Sequence, residues 1–172
     1  AEYTALEAPG VSISYAELPD RVLDIARGLM ANGVQTGDRV SIWAPNSIEW
    51  VLVALAVHCA GGLVVPINTR MKGNEAADIL ERSGSRIAFV VGEFLDVDYP
   101  AMLEACRPSG LEQVIVLGDK TDDGELSLAE FIATGAQVSW VQARERAASI
   151  KADDLSDLLF TSGTTGKPKG VM

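Results

Sequence analysis

Apolar runs of about five residues take turns along this chain with segments of helical spacing, and few architectures accept that order. "RVSIW" (39–43), "LVVPI" (63–67), "RIAFVV" (86–91) and "QVIVL" (113–117) are the short runs. They are apolar almost throughout, as in a parallel strand covered on both faces. Between them, 15–32 places Leu18, Val22, Ile25, Ala26 and Leu29 at helical spacing. Ser14 is a candidate N-cap with Glu17 three residues on, and Gly33 a natural stop. Further helices are expected over 47–60, 72–83, 99–106 and 126–134. Strands alternating with helices predict βαβ units, hence an α/β fold: a doubly wound, largely parallel sheet with helices on both faces. The weakest stretch is 119–149, where "KTDDGE" reads as a surface loop and "ARERAAS" as exposed polar chain.

"WVLVALAVHCAGGLVVPI", residues 50–67, is almost long enough for the ~20 residues of a membrane span. Gly61, Gly62 and Pro66 interrupt it and His58 lies inside it, so a buried helix, a glycine break and a buried strand account for it better. The formal charge of −10 makes nucleic acid and anionic lipid poor non-specific partners. Any bound anion must then be held by local geometry, with a metal ion screening its charge. Cys59 and Cys106 stand far apart, with no metal-ligand spacing. They read as free thiols in a reducing cytoplasm, with one disulfide as the alternative, and Ala1–Thr4 carries no export signal.

One motif carries chemistry. "DLLFT" (157–161) runs into "SGTTGKPKG" (162–170), rich in glycine, hydroxyls and lysine. It is not a Walker loop: two residues rather than four separate Gly163 from Gly166, and Pro168 follows Lys167 where Ser or Thr belongs. The GxGxxG spacing occurs nowhere in the chain. What remains is a cradle of four hydroxyls, Thr161, Ser162, Thr164 and Thr165, with Gly163 and Gly166 among them and Lys167 and Lys169 beside them. Glycine lets backbone N–H groups approach an oxyanion, and hydroxyls donate to phosphate without adding charge. A flexible surface hairpin is the alternative reading.

"LLFTSGTTGKPKGVM" resembles the phosphate-loop signature of the adenylate-forming (AMP-binding) enzymes: acyl-CoA synthetases, luciferases and peptide-synthetase adenylation domains. "SYAEL" (14–18), "GDRVSIWAPNSIEWVLVALAVHCAGGLVVPIN" (37–68) and "ILERSGSRIAFVV" (79–91) are similar to the family's amino-terminal segment, in its order. The resemblance is strongest to acyl-CoA synthetases of fatty or related acids. It implies an ATP- and Mg²⁺-dependent ligase that activates a carboxylic acid as an acyl-adenylate and passes the acyl group to coenzyme A. It also implies that 1–172 opens the adenylation domain, breaking off just after the loop at 161–170. The remaining subdomains, with the catalytic lysine of a mobile carboxy-terminal domain, are then expected beyond Met172, and the fragment alone is expected to be inactive. The resemblance matches Thr161, Ser162, Gly163, Thr164, Thr165 and Gly166 to the ATP cradle and Lys169 to the motif's catalytic lysine; Lys167 matches a position that varies. A peptide-synthetase or luciferase-like ligase, or a non-catalytic nucleotide-binding module, is the rival reading. His58 and the tryptophans Trp43, Trp50 and Trp140 are expected in structural roles. Asp122, Asp123, Asp153 and Asp154 are expected as loop charges, and Arg70 as a conceivable ligand contact after "PIN".

Overall fold

The structure is a computed structural model that describes residues 2–118, 125–161 and 169–172. The chain opens with an antiparallel hairpin, β1 (Thr4–Ala8) and β2 (Val11–Ser14), turning at Gly10 with φ near 80°. Helix α1 (Leu18–Ala31) follows, shorter than the spacing predicts. Ser14 and Glu17 do exchange bonds, Ser14 N–H to Glu17 Oε2 at 3.0 Å and Glu17 N–H to Ser14 Oγ at 3.3 Å. They close a turn before the helix rather than cap it, because Pro19 sets the first helical turn. The Ser14 bonds hold the Glu17 carboxyl below the usual carboxylate range.

Then come β3 (Arg39–Trp43), α2 (Ile48–Cys59), β4 (Leu63–Pro66), α3 (Gly73–Ser83) and β5 (Ile87–Val91). Ser47 caps α2 by accepting from the Trp50 N–H at 3.1 Å. A two-residue turn at Leu95 and Asp96, both at positive φ, joins β6 (Glu93–Phe94) to β7 (Val97–Asp98). The chain continues through α4 (Tyr99–Glu104), β8 (Gln113–Leu117), β9 (Leu126–Ser127), α5 (Leu128–Thr134), a 3-10 turn (Gly135–Gln137) and α6 (Trp140–Ser149). It closes with β10 (Leu159–Thr161) and β11 (Lys169–Val171).

Five strands form an all-parallel sheet in the order β4-β3-β5-β8-β9. Numbered by appearance within the sheet this is 2-1-3-4-5, a doubly wound order with its switch point between β3 and β5. Both faces are covered, so each strand divides its side chains between two cores. From β5, Ile87 and Phe89 join the core shared with α1, α2 and α5, while Ala88 and Val90 join the core shared with α3 and α4. No strand face meets solvent along its centre, which is why these segments read as apolar runs rather than alternations. A helix, a glycine break and a strand account for residues 50–67. Among the described residues no helix is long and apolar enough to cross a membrane.

Two expectations need correction. Leu126 and Ser127 do not begin a helix; they pair in parallel with Ile115 and Val116 as β9, and Ser127 then caps α5 with Glu130. "ARERAAS" is not exposed polar chain but most of α6. Its start is a Ser139–Gln142 capping box, and it docks through one small buried residue, Ala143, and a bond from Arg146 to the Ala60 carbonyl at 3.1 Å. A helix that buries so little shows weak apolar periodicity. "KTDDGE" falls largely on 119–124, outside the described residues, and takes Asp122 and Asp123 with it.

Gly61 shows what the turn after α2 requires. It sits at φ +85°, and a Cβ there would lie 2.8 Å from Thr36 Oγ1 and 3.2 Å from Thr36 Cα. Gly61→Ala is expected to cost about 2 kcal/mol or more, from left-handed strain plus the collision. That corresponds to a fall of about 4–8 °C in thermal midpoint; an unchanged midpoint would show that the turn can rearrange freely.

Candidate functional site

The candidate loop hangs from the sheet's outer edge. Beyond β4 the chain pairs through a single parallel bridge between Val64 and Asp157. The Val64 N–H donates to the Ser156 carbonyl and the Leu158 N–H to the Val64 carbonyl, both at 2.9 Å. Three residues of β10 then pair antiparallel with β11, Leu159 opposite Val171, Phe160 opposite Gly170 and Thr161 opposite Lys169. So "DLLFT" is not a full strand of the sheet. It touches the edge once and leaves as one arm of a hairpin. "KGV" is the other arm.

This arrangement brings Thr161 and Lys169 together, directly opposite and exposed at the mouth of the hairpin, with the Thr161 hydroxyl 3.5 Å from the Lys169 carbonyl. The rest of the candidate cradle, Ser162, Gly163, Thr164, Thr165, Gly166 and Lys167, lies outside the described residues.

Two side chains with no local pattern linking them to the loop hold its stem. From α2, on one face of the sheet, His58 Nε2 lies 3.2 Å from the Ser156 carbonyl and 3.8 Å from Asp157 Oδ1. From α3, on the other face, the Arg82 guanidinium sits 5.1 Å from the centre of the Phe160 ring while it pairs with Asp78 at 3.0 Å. Leu158 and Phe160 pack on the core beneath α3. Gly170 leaves room across the hairpin: a Cβ there would lie 3.2 Å from Leu158 Cδ1 and 3.5 Å from Phe160 Cζ. His58 is structural, as expected, but its partners are nearly a hundred residues away and no local pattern could name them.

At the carboxyl end of β4 the backbone is pinned. The Trp43 Nε1–H donates to the Asn68 carbonyl at 3.2 Å, and the Tyr99 hydroxyl to the Thr69 carbonyl at 2.8 Å. Arg70 follows on the surface, its own N–H bonded to Asn68 Oδ1 at 2.9 Å. Trp140 packs beneath Arg27 and Arg144 at 5.0 and 5.8 Å, a structural contact. Asp154 closes a turn by accepting from the Lys151 N–H at 2.8 Å. Cys59 and Cys106 are free thiols, and burial pushes both up from the ordinary thiol range. The described residues gather no group of three His, Cys, Asp or Glu, so nothing among them forms a metal centre.

The profile of the AMP-binding enzymes matches residues 1–172, the whole chain. The chain belongs to that family. Among curated relatives, a methyl-dioxo-octahydro-indenyl-propanoyl:CoA ligase of Mycobacterium tuberculosis is 45% identical over 171 residues. The match covers 99% of this chain and 33% of the relative. The ligase of the same description from Rhodococcus jostii is 40% identical over 176 residues, covering 99% and 34%. Among solved structures, the anthranilate CoA ligase AuaEII in complex with anthranoyl-AMP superposes with a TM-score of 0.80 at 28% identity, over 99% of this chain and 31% of that one. The chain thus spans about a third of the length of the relatives it matches. For an AMP-binding enzyme, the doubly wound sheet with its edge hairpin is the fold expected of the amino-terminal segment.

Proposed function

We propose that residues 1–172 are the amino-terminal segment of an AMP-forming acid:CoA ligase. In the whole protein, the loop at 161–170 would hold the β- and γ-phosphates of ATP. The observation that carries this is the hydroxyl- and glycine-rich "TSGTTG", whose first residue Thr161 ends β10, in a chain that matches the family end to end. In the first half-reaction a carboxylate oxygen attacks the α-phosphorus. A carboxylate O–P bond forms, the bond to the β-phosphate oxygen breaks, and pyrophosphate leaves. In the second, the coenzyme A sulfur attacks the acyl carbonyl, the thiol gives up its proton, and AMP departs.

Activation is needed because a carboxylate is a poor electrophile, and AMP is a far better leaving group than oxide. Backbone N–H groups and the hydroxyls of Thr161, Ser162, Thr164 and Thr165 act by holding the departing phosphates in line and meeting the charge that develops on them. Lys169, opposite Thr161, supplies a cation to an otherwise acidic chain. Mg²⁺ customarily rides on substrate phosphates with one or two carboxylates. Among the described residues no group of three His, Cys, Asp or Glu could hold it.

For the acid, the two relatives above are both named for a fused-ring propanoyl group. This favours a bulky cyclic propanoate; a straight-chain fatty acid, which the resemblance of the segments suggested, is the second reading. The two free thiols fit an enzyme of a reducing compartment such as the cytoplasm. The deciding measurement is acid-dependent exchange of pyrophosphate into ATP by the full-length protein, across a panel of cyclic and straight-chain acids. Exchange with none of them, at any ATP concentration, overturns the ligase reading in favour of a non-catalytic module. Thr164→Ala is expected to slow exchange at least tenfold, the loss of one hydrogen bond to a charged oxygen.

A further inference from the structure

We infer that His58 and Arg82 are positioning residues for the phosphate loop: together they dock β10, the strand that leads into it, against the sheet. The inference rests on the reading of residues 162–166 as that loop.

Apart from the packing of Leu158 and Phe160 on the core, the stem has few backbone ties. Among the described residues its one pairing to the five-stranded sheet is the bridge at Val64, and β10 pairs with β11, whose residues are exposed. Three-residue strands in an isolated pair are marginal alone. The two side chains act where the pairing fails. His58 reaches the segment 156–157 from the α2 face, and Arg82 covers the Phe160 ring from the α3 face, four residues further on. The stem is therefore gripped from both faces of the sheet, at two points along its length.

Neither contact is a strong one. The His58 and Asp157 side chains are 37% and 44% exposed, so their attraction is well screened, and an exposed cation–π contact is similarly modest. Their value is geometric. A loop that holds phosphates must arrive in one place, and the apparent affinity for ATP falls with the fraction of molecules in which its stem is docked. Positioning then shows as a change in ATP affinity rather than in the chemistry of bound substrate.

The test uses the full-length protein, with ATP varied at saturating acid and coenzyme A. His58→Ala and Phe160→Leu are each expected to raise KM for ATP about threefold, and the pair about tenfold, with kcat changed less than about twofold. His58→Gln, which keeps a donor for the Ser156 carbonyl, and Phe160→Tyr, which keeps a ring beneath Arg82, are expected to restore KM. An unchanged KM in the paired variant overturns the inference, as does a rise that the conservative variants fail to reverse. Equal losses in kcat and in thermal midpoint with KM unmoved assign both residues to general stability and overturn it too. If His58→Ala does not fold, the Phe160→Leu and Phe160→Tyr pair decides. Thr164→Ala, run in parallel, separates the two ideas. If it weakens turnover while the stem variants do nothing, only the positioning is lost; if it too is silent, the phosphate-loop reading falls.

Discussion

Trp43→Ala is expected to destabilise the protein by about 3–5 kcal/mol, the range for deleting a large buried aromatic. Trp43 ends β3, opposite Val90 of β5, with no exposed surface. Its ring meets Tyr99 edge-on, centroids 4.9 Å apart at 71°, an arrangement favourable beyond simple burial. Its Nε1–H and the Tyr99 hydroxyl donate to the successive carbonyls of Asn68 and Thr69. One substitution therefore opens a cavity beneath α3 and α4 and removes one of two bonds to the Asn68 carbonyl at the carboxyl end of β4, the other coming from the Met71 N–H at 3.0 Å. Trp43→Phe separates the two contributions: it keeps a ring against Tyr99 and loses only the Nε1–H bond, at about 1 kcal/mol. In urea the alanine variant should unfold at a midpoint lower by about 2 M, with the phenylalanine variant close to the parent. A shift of less than about 0.5 M for Trp43→Ala would mean that this corner of the core is not closely packed.

Lys169→Ala in the full-length protein is expected to lower the rate of adenylate formation by about 10²–10³, the scale for removing one group aimed at developing charge. Lys169 stands opposite Thr161 at the mouth of the hairpin, where both strands meet the candidate cradle. The chain's charge of −10 makes a cation in that place matter more against the negative charge of ATP. Lys169→Arg should recover only part of the loss, because a planar guanidinium does not replace a compact ammonium. Single-turnover measurement of acyl-adenylate is the suitable readout. A loss confined to the thiol-transfer half-reaction would remove Lys169 from the phosphate site and assign it to the second step.

Much of the fold was legible because each buried strand and amphipathic helix carries its own evidence. The spacing predicts β3 and β8 with their observed bounds, and α2 within a residue at each end, since an apolar run between a glycine turn and a cap has few other fates. The candidate phosphate loop stands out in the sequence for a different reason: its hydroxyls, glycines and lysines are concentrated in consecutive residues. α6 and β9 were not, because each is defined by what it touches. Ala143 is too small to mark a helix face, and Leu126 is a strand residue only because Ile115 lies beside it.

The docking of the loop belongs to that second kind. Nothing in "VHCA" or "ERSG" points to "SDLLF", about a hundred residues on from the first and about eighty from the second. Parallel crossovers bring α2 to one face of the sheet and α3 to the other, and the edge of β4 lies between them. Composition and spacing were thus sufficient for the central strands and most of the helices, and they single out the candidate cradle. The grip of His58 and Arg82 on its stem depends on long-range packing, which leaves no periodic trace in the chain.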